Sequence, residues 1–213
     1  MKHYLSFGAL LAATVLTACE SKNEEEAPDA CAAATTVPDS FQVVFETGKG
    51  RFVVAVDRTW APLGAARFHE LVRTHYYDGV KFFRVLPDFM AQFGIHGDPA
   101  TNAQWTNNAI QDDPVRQSNT KGAVTFATAG PNTRTTQLFI NTQDNPRLDQ
   151  MGFAPMGRVV EGLDVVEKLY NGYGEGAPNG AGPSQGLIER DGNRYLNRYF
   201  PRLDSIVTAR IKC

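Results

Sequence analysis

Eight short apolar runs constrain this chain more than any other feature: 41–45, 51–57, 81–86, 90–93, 123–127, 138–142, 153–160 and 203–211, the five from 81 to 160 bounded by Gly, Pro or Asn. They are too short for helices and rich in Val, Phe, Ile and Thr, which suits half-buried or buried strands. The first two flank Thr47-Gly48-Lys49-Gly50 and predict a hairpin. Two main segments carry helical spacing. One is 62–74, with Phe68, Leu71 and Val72 in phase and Pro62 tolerable only near a helix start. The other is 163–170, where Leu163, Val166 and either Leu169 or Tyr170 share a face. A Gly/Pro-rich loop spans 171–186, and 193–200 fits a third, small helix. Many short strands with two helices, without βαβ alternation or an internal repeat, predict a mainly β antiparallel barrel or sandwich.

The 213 residues divide unevenly. Lys2 and His3 precede an uncharged, mostly apolar run over 4–18, a signal-peptide pattern too short to span a bilayer. The run ends in Leu16-Thr17-Ala18-Cys19, which resembles a bacterial lipobox; lipid would then be added to the Cys19 sulfur and cleavage would fall just before it. The alternative is an ordinary small-residue cleavage site after Ala18. Residues 19–40 are acidic, then rich in Ala, Thr and Pro, and read as a disordered tether; 41–213 is the folded domain. A lipid-anchored chain of the bacterial envelope, facing the periplasm, is the expectation, with either membrane possible. Export would let Cys31 and Cys213 form a disulfide, and two separate thiols at the chain's flexible ends fit equally well. A net charge of −2 and a pI near 6.1 argue against a non-specific hold on nucleic acid. The four histidines (His3, His69, His75, His96) lack paired metal-ligand spacing, and His96 reads as a loop residue.

Chemistry concentrates in 82–94, Phe-Phe-Arg-Val-Leu-Pro-Asp-Phe-Met-Ala-Gln-Phe-Gly. This is a strand, a Pro-Asp corner and a second strand. Arg84 is a permanent cation in an apolar segment, and Met90 and Gln92, two apart, project from one face. Guanidinium and amide beside Phe and Met would make an apolar pocket with a few aimed polar groups. Taken alone, Arg84 reads more readily as a structural arginine paired with a carboxylate such as Asp88, its aromatic neighbours being ordinary core. Asp112-Asp113 reads as an exposed acidic turn, Leu63-Gly64-Ala65-Ala66 as small residues on a helix, and Arg194, Arg198 and Arg202 as a solvated face.

The pattern F-x-R-x-x-P-x-F-M-x-Q over 82–92 resembles the central motif of cyclophilins. A second stretch, 126–140 (FATAGPNTRTTQLFI), is similar to the family's A-x-A-G-P-N-T-x-x-S-Q-F-F-I, with Thr136 for the usual Ser and Leu138 for a usual Phe. Both motifs lie in the family's order, a helix precedes the first, and 153–159 is close to a V-F-G-x-V strand. The resemblance implies a closed antiparallel eight-stranded β-barrel capped by two α-helices, and peptidyl-prolyl cis-trans isomerase activity on unfolded or extended X-Pro chains. Carried over position by position, Arg84 matches the catalytic arginine. Phe89, Met90, Phe139 and Leu148 match the proline pocket, Gln92 and Gln137 substrate-contacting amides, and Ala127 and Thr128 the backbone that pairs with peptide. Arg147 stands where many eukaryotic members have Trp, and Gly152 where many have His. No cofactor or metal is implied, and a monomer is expected. A non-catalytic X-Pro binding module and a purely structural envelope protein are the competing readings.

Overall fold

The computed structural model describes residues 36–212 together with Met1 and His3. Cys19, Cys31 and Cys213 lie outside the described residues, and with them the lipid anchor, the disulfide question and most of the tether.

Eight strands follow the predicted runs: β1 (Ser40–Thr47), β2 (Gly50–Asp57), β3 (Arg84–Leu86), β4 (Met90–Phe93), β5 (Ala123–Phe126), β6 (Leu138–Asn141), β7 (Pro155–Glu161) and β8 (Ile206–Lys212). They form one antiparallel sheet in the order β3-β4-β6-β5-β7-β2-β1-β8, curled into a half-barrel. The first hairpin closes at Thr47 and Gly50, which face each other in register. The closed barrel expected from sequence is not what the ladders describe, because β3 and β8 form no ladder among the described residues. An isolated bridge, Lys81 to Ser205, stands between them, flanked by bonds from Phe82 N to Asp204 O and Ile206 N to Val80 O. Lys81 and Phe82 are spent there, which is why β3 is shorter than the run 81–86.

Among the described residues there are five helices, where two caps and a third, small helix were expected. Helix α1 (Pro62–Arg73) matches the prediction, with Pro62 at its start and Phe68, Leu71 and Val72 buried. A short α2 (Pro99–Trp105) was not foreseen; Asp98 caps it by accepting from Ala100 N, ahead of Pro99. Its polar sequence hid it, since only Asn102 is buried. A single turn, α3, covers Arg147–Gln150. The expected helix 163–170 shrinks to α4 (Leu163–Glu167), because Tyr170 N turns to Asp204 Oδ2 (2.7 Å) instead of continuing the ladder. Conversely, α5 (Gln185–Tyr199) is longer than the predicted 193–200 and starts inside the presumed loop. It kinks at Gly192, whose left-handed φ of 58° seats it against Gly97; a Cβ there would lie 2.0 Å from the Gly97 carbonyl oxygen.

The main core fills the concave side of the sheet, with Phe52, Phe68, Tyr77 and Phe93 each in ring contact with Phe45. A second cluster (Phe83, Ile95, Ile188, Leu196, Phe200, Leu203) fixes α5 outside it. A third, around Met90, Phe139 and Leu148, lies on the sheet's other face. Strands β4, β5 and β6 are therefore buried on both sides.

Candidate active site

Register places the polar groups. Arg84 on β3 lies opposite Gln92 on β4, which lies opposite Phe139 on β6, which lies opposite Thr125 on β5. Residues opposite each other in antiparallel strands point to the same face. Arg84, Gln92 and Phe139 thus form one row, with Met90 in the next, and Gln137 follows two positions before Phe139. Their neighbours Val85, Ala91, Phe93, Leu138 and Ile140 point into the core. A one-residue slip would exchange the two faces, so core burial fixes the site.

Every predicted groove residue except Gln137 lines one pocket of about 220 Å³: Arg84, Phe89, Met90, Gln92, Ala127, Thr128, Phe139 and Leu148, joined by Phe153 and Gln185. Gln137 lines the adjoining depression with Gln92, Ala127 and Thr128. Phe153 is not among the groove residues expected from sequence. It stands edge-on to Phe139 (centroids 5.7 Å apart), and its N–H bonds Leu148 O, so it belongs to the α3 turn rather than β7. Its place next to Gly152, a position already set apart, was the available signal. Gly152 itself has a φ of 84° and open space around it. Arg147 is exposed and sets its guanidinium 5.1 Å from the Phe89 ring.

Polar side chains form a relay along the groove. Arg84 Nη1 donates to Gln92 Oε1 (3.1 Å) and Gln92 Nε2 donates to Gln137 Oε1 (3.0 Å), which fixes the orientation of both amides. Arg84 also lies 5.7 Å from the Phe89 ring. Its carboxylate partner is not Asp88, which is exposed, but Glu175 from the 171–186 loop. Arg84 Nε and Nη2 each donate to one Glu175 oxygen at 2.6 Å. Hydrogen bonds from Arg84 hold the Glu175 carboxyl below its ordinary range, against a desolvation that works the other way.

Behind the pocket lies a buried polar network. Asn119 Nδ2 donates to Phe153 O (2.8 Å) and to Asp149 Oδ1 (2.8 Å), while Thr125 Oγ1 and Asn141 Nδ2 donate to Asn119 Oδ1. Asn145 Nδ2 donates to Phe89 O (2.9 Å) and to Asn141 Oδ1 (2.8 Å). Burial opposes the charge of Asp149, but the bonds from Ser118 and Asn119 outweigh it and keep that carboxyl below its usual value. These bonds hold the backbone of two pocket aromatics, Phe89 and Phe153. Thr128 spends its hydroxyl locally, on the turn with Gly130 and Thr133.

Residues 42–184 match the family model described as cyclophilin type peptidyl-prolyl cis-trans isomerase/CLD. The chain belongs to the cyclophilin-type peptidyl-prolyl cis-trans isomerases. Among relatives of this cyclophilin, a peptidyl-prolyl cis-trans isomerase of Acinetobacter baylyi is 34% identical over 138 residues, covering 61% of this chain and 71% of that one. Peptidyl-prolyl cis-trans isomerase A of Dickeya dadantii is 36% identical over 146 residues, covering 64% and 73%. Among solved structures, the cyclophilin AquaCyp293 from Hirschia baltica superposes with a TM-score of 0.59 at 24% identity, covering 81% of this chain and 74% of that one. At that identity the likeness speaks for the fold alone. The family match ends at residue 184, so α5, which brings Gln185 to the pocket, lies beyond it.

In this cyclophilin the predicted acidic turn is half wrong. Asp112 is exposed, but Asp113 is buried, accepting from Leu63 N (3.0 Å) and Gly64 N (2.8 Å) at the start of α1 and pairing with buried Arg134 (3.1 Å). Gly64 is more than a small helix residue, since a Cβ there would lie 3.3 Å from Arg134 Nη1. Arg194 and Arg198 are exposed, as expected of a solvated face. His96 sits in a loop, where its Nδ1 accepts from Asp98 N (3.0 Å).

Proposed function

We propose that this cyclophilin accelerates X-Pro rotation by offering Arg84 Nη1 to the twisted prolyl amide, and that its substrates are exported polypeptides folding outside the cytoplasm. Rotation is slow because amide resonance sets a barrier of about 18–20 kcal/mol. At the twisted transition state the resonance is lost, the nitrogen becomes pyramidal, and its lone pair accepts a hydrogen bond. A donor that meets it only there lowers the barrier rather than merely tightening binding. Phe89, Met90, Phe139 and Leu148 hold the ring while the acyl side turns, and Gln92, Gln137 and the Ala127–Thr128 backbone hold the flanking chain. The observation that carries this reading is a cation, 21% exposed, held against Gln92 and Met90 in a mainly apolar pocket. The pair with Glu175 occupies two of the guanidinium nitrogens, and a scaffold has no use for the third turned toward the pocket walls.

Placement outside the cytoplasm, anchored through lipid on Cys19, rests on the sequence of residues 2–19. Metabolic labelling with an alkyne fatty acid tests it: label lost in Cys19→Ser supports the anchor, and label never acquired refutes it. Catalysis is tested by exchange NMR on a short peptide with one X-Pro bond, using the full chain and Arg84→Ala. Loss of one preorganised donor is worth on the order of 10²–10³-fold in rate. A variant as fast as the parent would remove Arg84 from the chemistry, and a parent that binds without accelerating would leave a binding module.

A further inference from the structure

Arg84 and Glu175 are 91 residues apart in sequence, yet their pairing is side-on and bidentate, with both contacts at 2.6 Å. Two parallel bonds fix the plane of a guanidinium as one cannot. Nε and Nη2 are the nitrogens taken. Nη1 remains, 3.1 Å from Gln92 Oε1 and 3.8 Å from Met90 Sδ, both walls of the pocket.

The loop is folded around this carboxylate. Glu175 Oε1 also accepts from its neighbour Gly176 N (2.8 Å), and the Glu175 carbonyl accepts from Gly182 N (2.8 Å). Cβ atoms added at Gly180 or Gly182 would lie 2.3 and 2.7 Å from that carbonyl oxygen, so side chains are shut out where the loop turns back. Glu175 does not line the proline pocket; the pair sits on its edge and leaves it open.

We infer that Glu175 is a positioning residue for the isomerisation: it clamps two nitrogens of Arg84 so that the third is presented to the prolyl amide. The inference rests on the reading of Arg84 as the donor. Free of the clamp, the guanidinium would turn about its own side-chain bonds and Nη1 would leave the pocket for much of the time. Misplacement of a catalytic group on the ångström scale costs up to about a hundredfold in rate. Ground-state peptide binding uses the apolar walls and the amides, which Glu175 does not touch.

The test is exchange NMR on the full chain, with a tetrapeptide containing one Ala-Pro bond, for the parent, Glu175→Ala, Glu175→Gln and Arg84→Ala. The exchange rate at saturating peptide and the peptide Kd are read separately. Glu175→Ala should slow bound-state exchange by roughly ten- to a hundredfold with Kd within about twofold. Glu175→Gln, which keeps an oxygen for one of the two bonds, should fall between it and the parent. The Arg84 Nε–H signal of 15N-labelled protein should move upfield and exchange faster with water in both, which a loop merely loosened elsewhere would not cause. A Glu175→Ala variant as fast as the parent, or faster, overturns the inference, because the carboxylate would then be screening Arg84. Should Arg84→Ala keep the parent rate, the underlying reading of Arg84 fails and the inference falls with it.

Discussion

Substituting Asp113 by Ala should be among the most damaging single changes outside the apolar core, although only one carboxylate is lost. Its side chain is 3% exposed and that of Arg134 is 5% exposed. Asp113 accepts both first-turn N–H groups of α1 and both terminal nitrogens of Arg134, the latter at 3.1 Å. Without it the guanidinium is buried with no full counter-charge, a loss of about 3–5 kcal/mol. The Gly64 N–H is orphaned as well, at about 1–3 kcal/mol when water is excluded. These terms overlap, and Asp112 Oδ1, 3.3 Å from Arg134 Nε, recovers part of the charge balance. A net loss of about 4 kcal/mol is the expectation, or a fall in Tm of roughly 8–16 °C for a domain of this size. Asp112→Ala is the internal control: it removes the same charge one residue away from a side chain 35% exposed, and should cost under about 1 kcal/mol. Urea unfolding followed by tryptophan fluorescence supplies both numbers. In a double-mutant cycle, Asp113→Ala with Arg134→Met should recover much of the loss, because no buried cation is then stranded. Asp113→Ala within about 1 kcal/mol of the parent, or no worse than Asp112→Ala, would refute the assignment of this pair as the joint between α1 and the 130–137 segment.

Three further outcomes are expected. Gly94 has a φ of 111°, and a Cβ there would lie 2.4 Å from Thr136 O, so Gly94→Ala should destabilise by well over 1 kcal/mol and also weaken peptide binding through displaced Gln137; both are read from urea unfolding and peptide titration. Burial pushes the Tyr76 hydroxyl up to about 12 from 10.0, so its neutral form is favoured in the folded state. That extra stability is whole below pH 10 and is lost as pH rises from 10 to 12, about 3 kcal/mol in all; Tyr76→Phe should flatten that part of the stability profile, and an unchanged slope would refute it. Phe139→Ala removes one wall of the pocket and should raise the peptide Kd on the order of tenfold, whereas Phe139→Leu should recover most of the affinity.

Strand positions were legible because each is a run rich in β-branched or aromatic residues, most with a Gly, Pro or Asn stop, and strand pairing asks for little more. The groove was legible for the same reason: Arg84, Met90, Gln92 and Phe139 lie within two segments whose alternation dictates their face. Helix α5 was half hidden, since its buried residues Ile188 and Leu196 straddle Gly192, where the periodicity breaks with the backbone. The burial of Asp113 left no local mark at all. It is decided by Arg134 and the start of α1, contacts made across tens of residues.

The partner of Arg84 shows most clearly where local reading stops. A cation in an apolar strand demands a counter-charge or an end to its burial. The nearest carboxylate in sequence is Asp88, which the Pro-Asp corner turns out to solvent. Glu175 meets the demand from a segment with no periodicity, where Gly180 and Gly182 let the chain double back against Glu175's own carbonyl. A Gly/Pro-rich stretch looks like filler when only local propensity is weighed. Set against an unanswered charge elsewhere in the chain, its one central carboxylate becomes the informative residue. The need for a partner was therefore written in the strand, and the identity of that partner only in the fold.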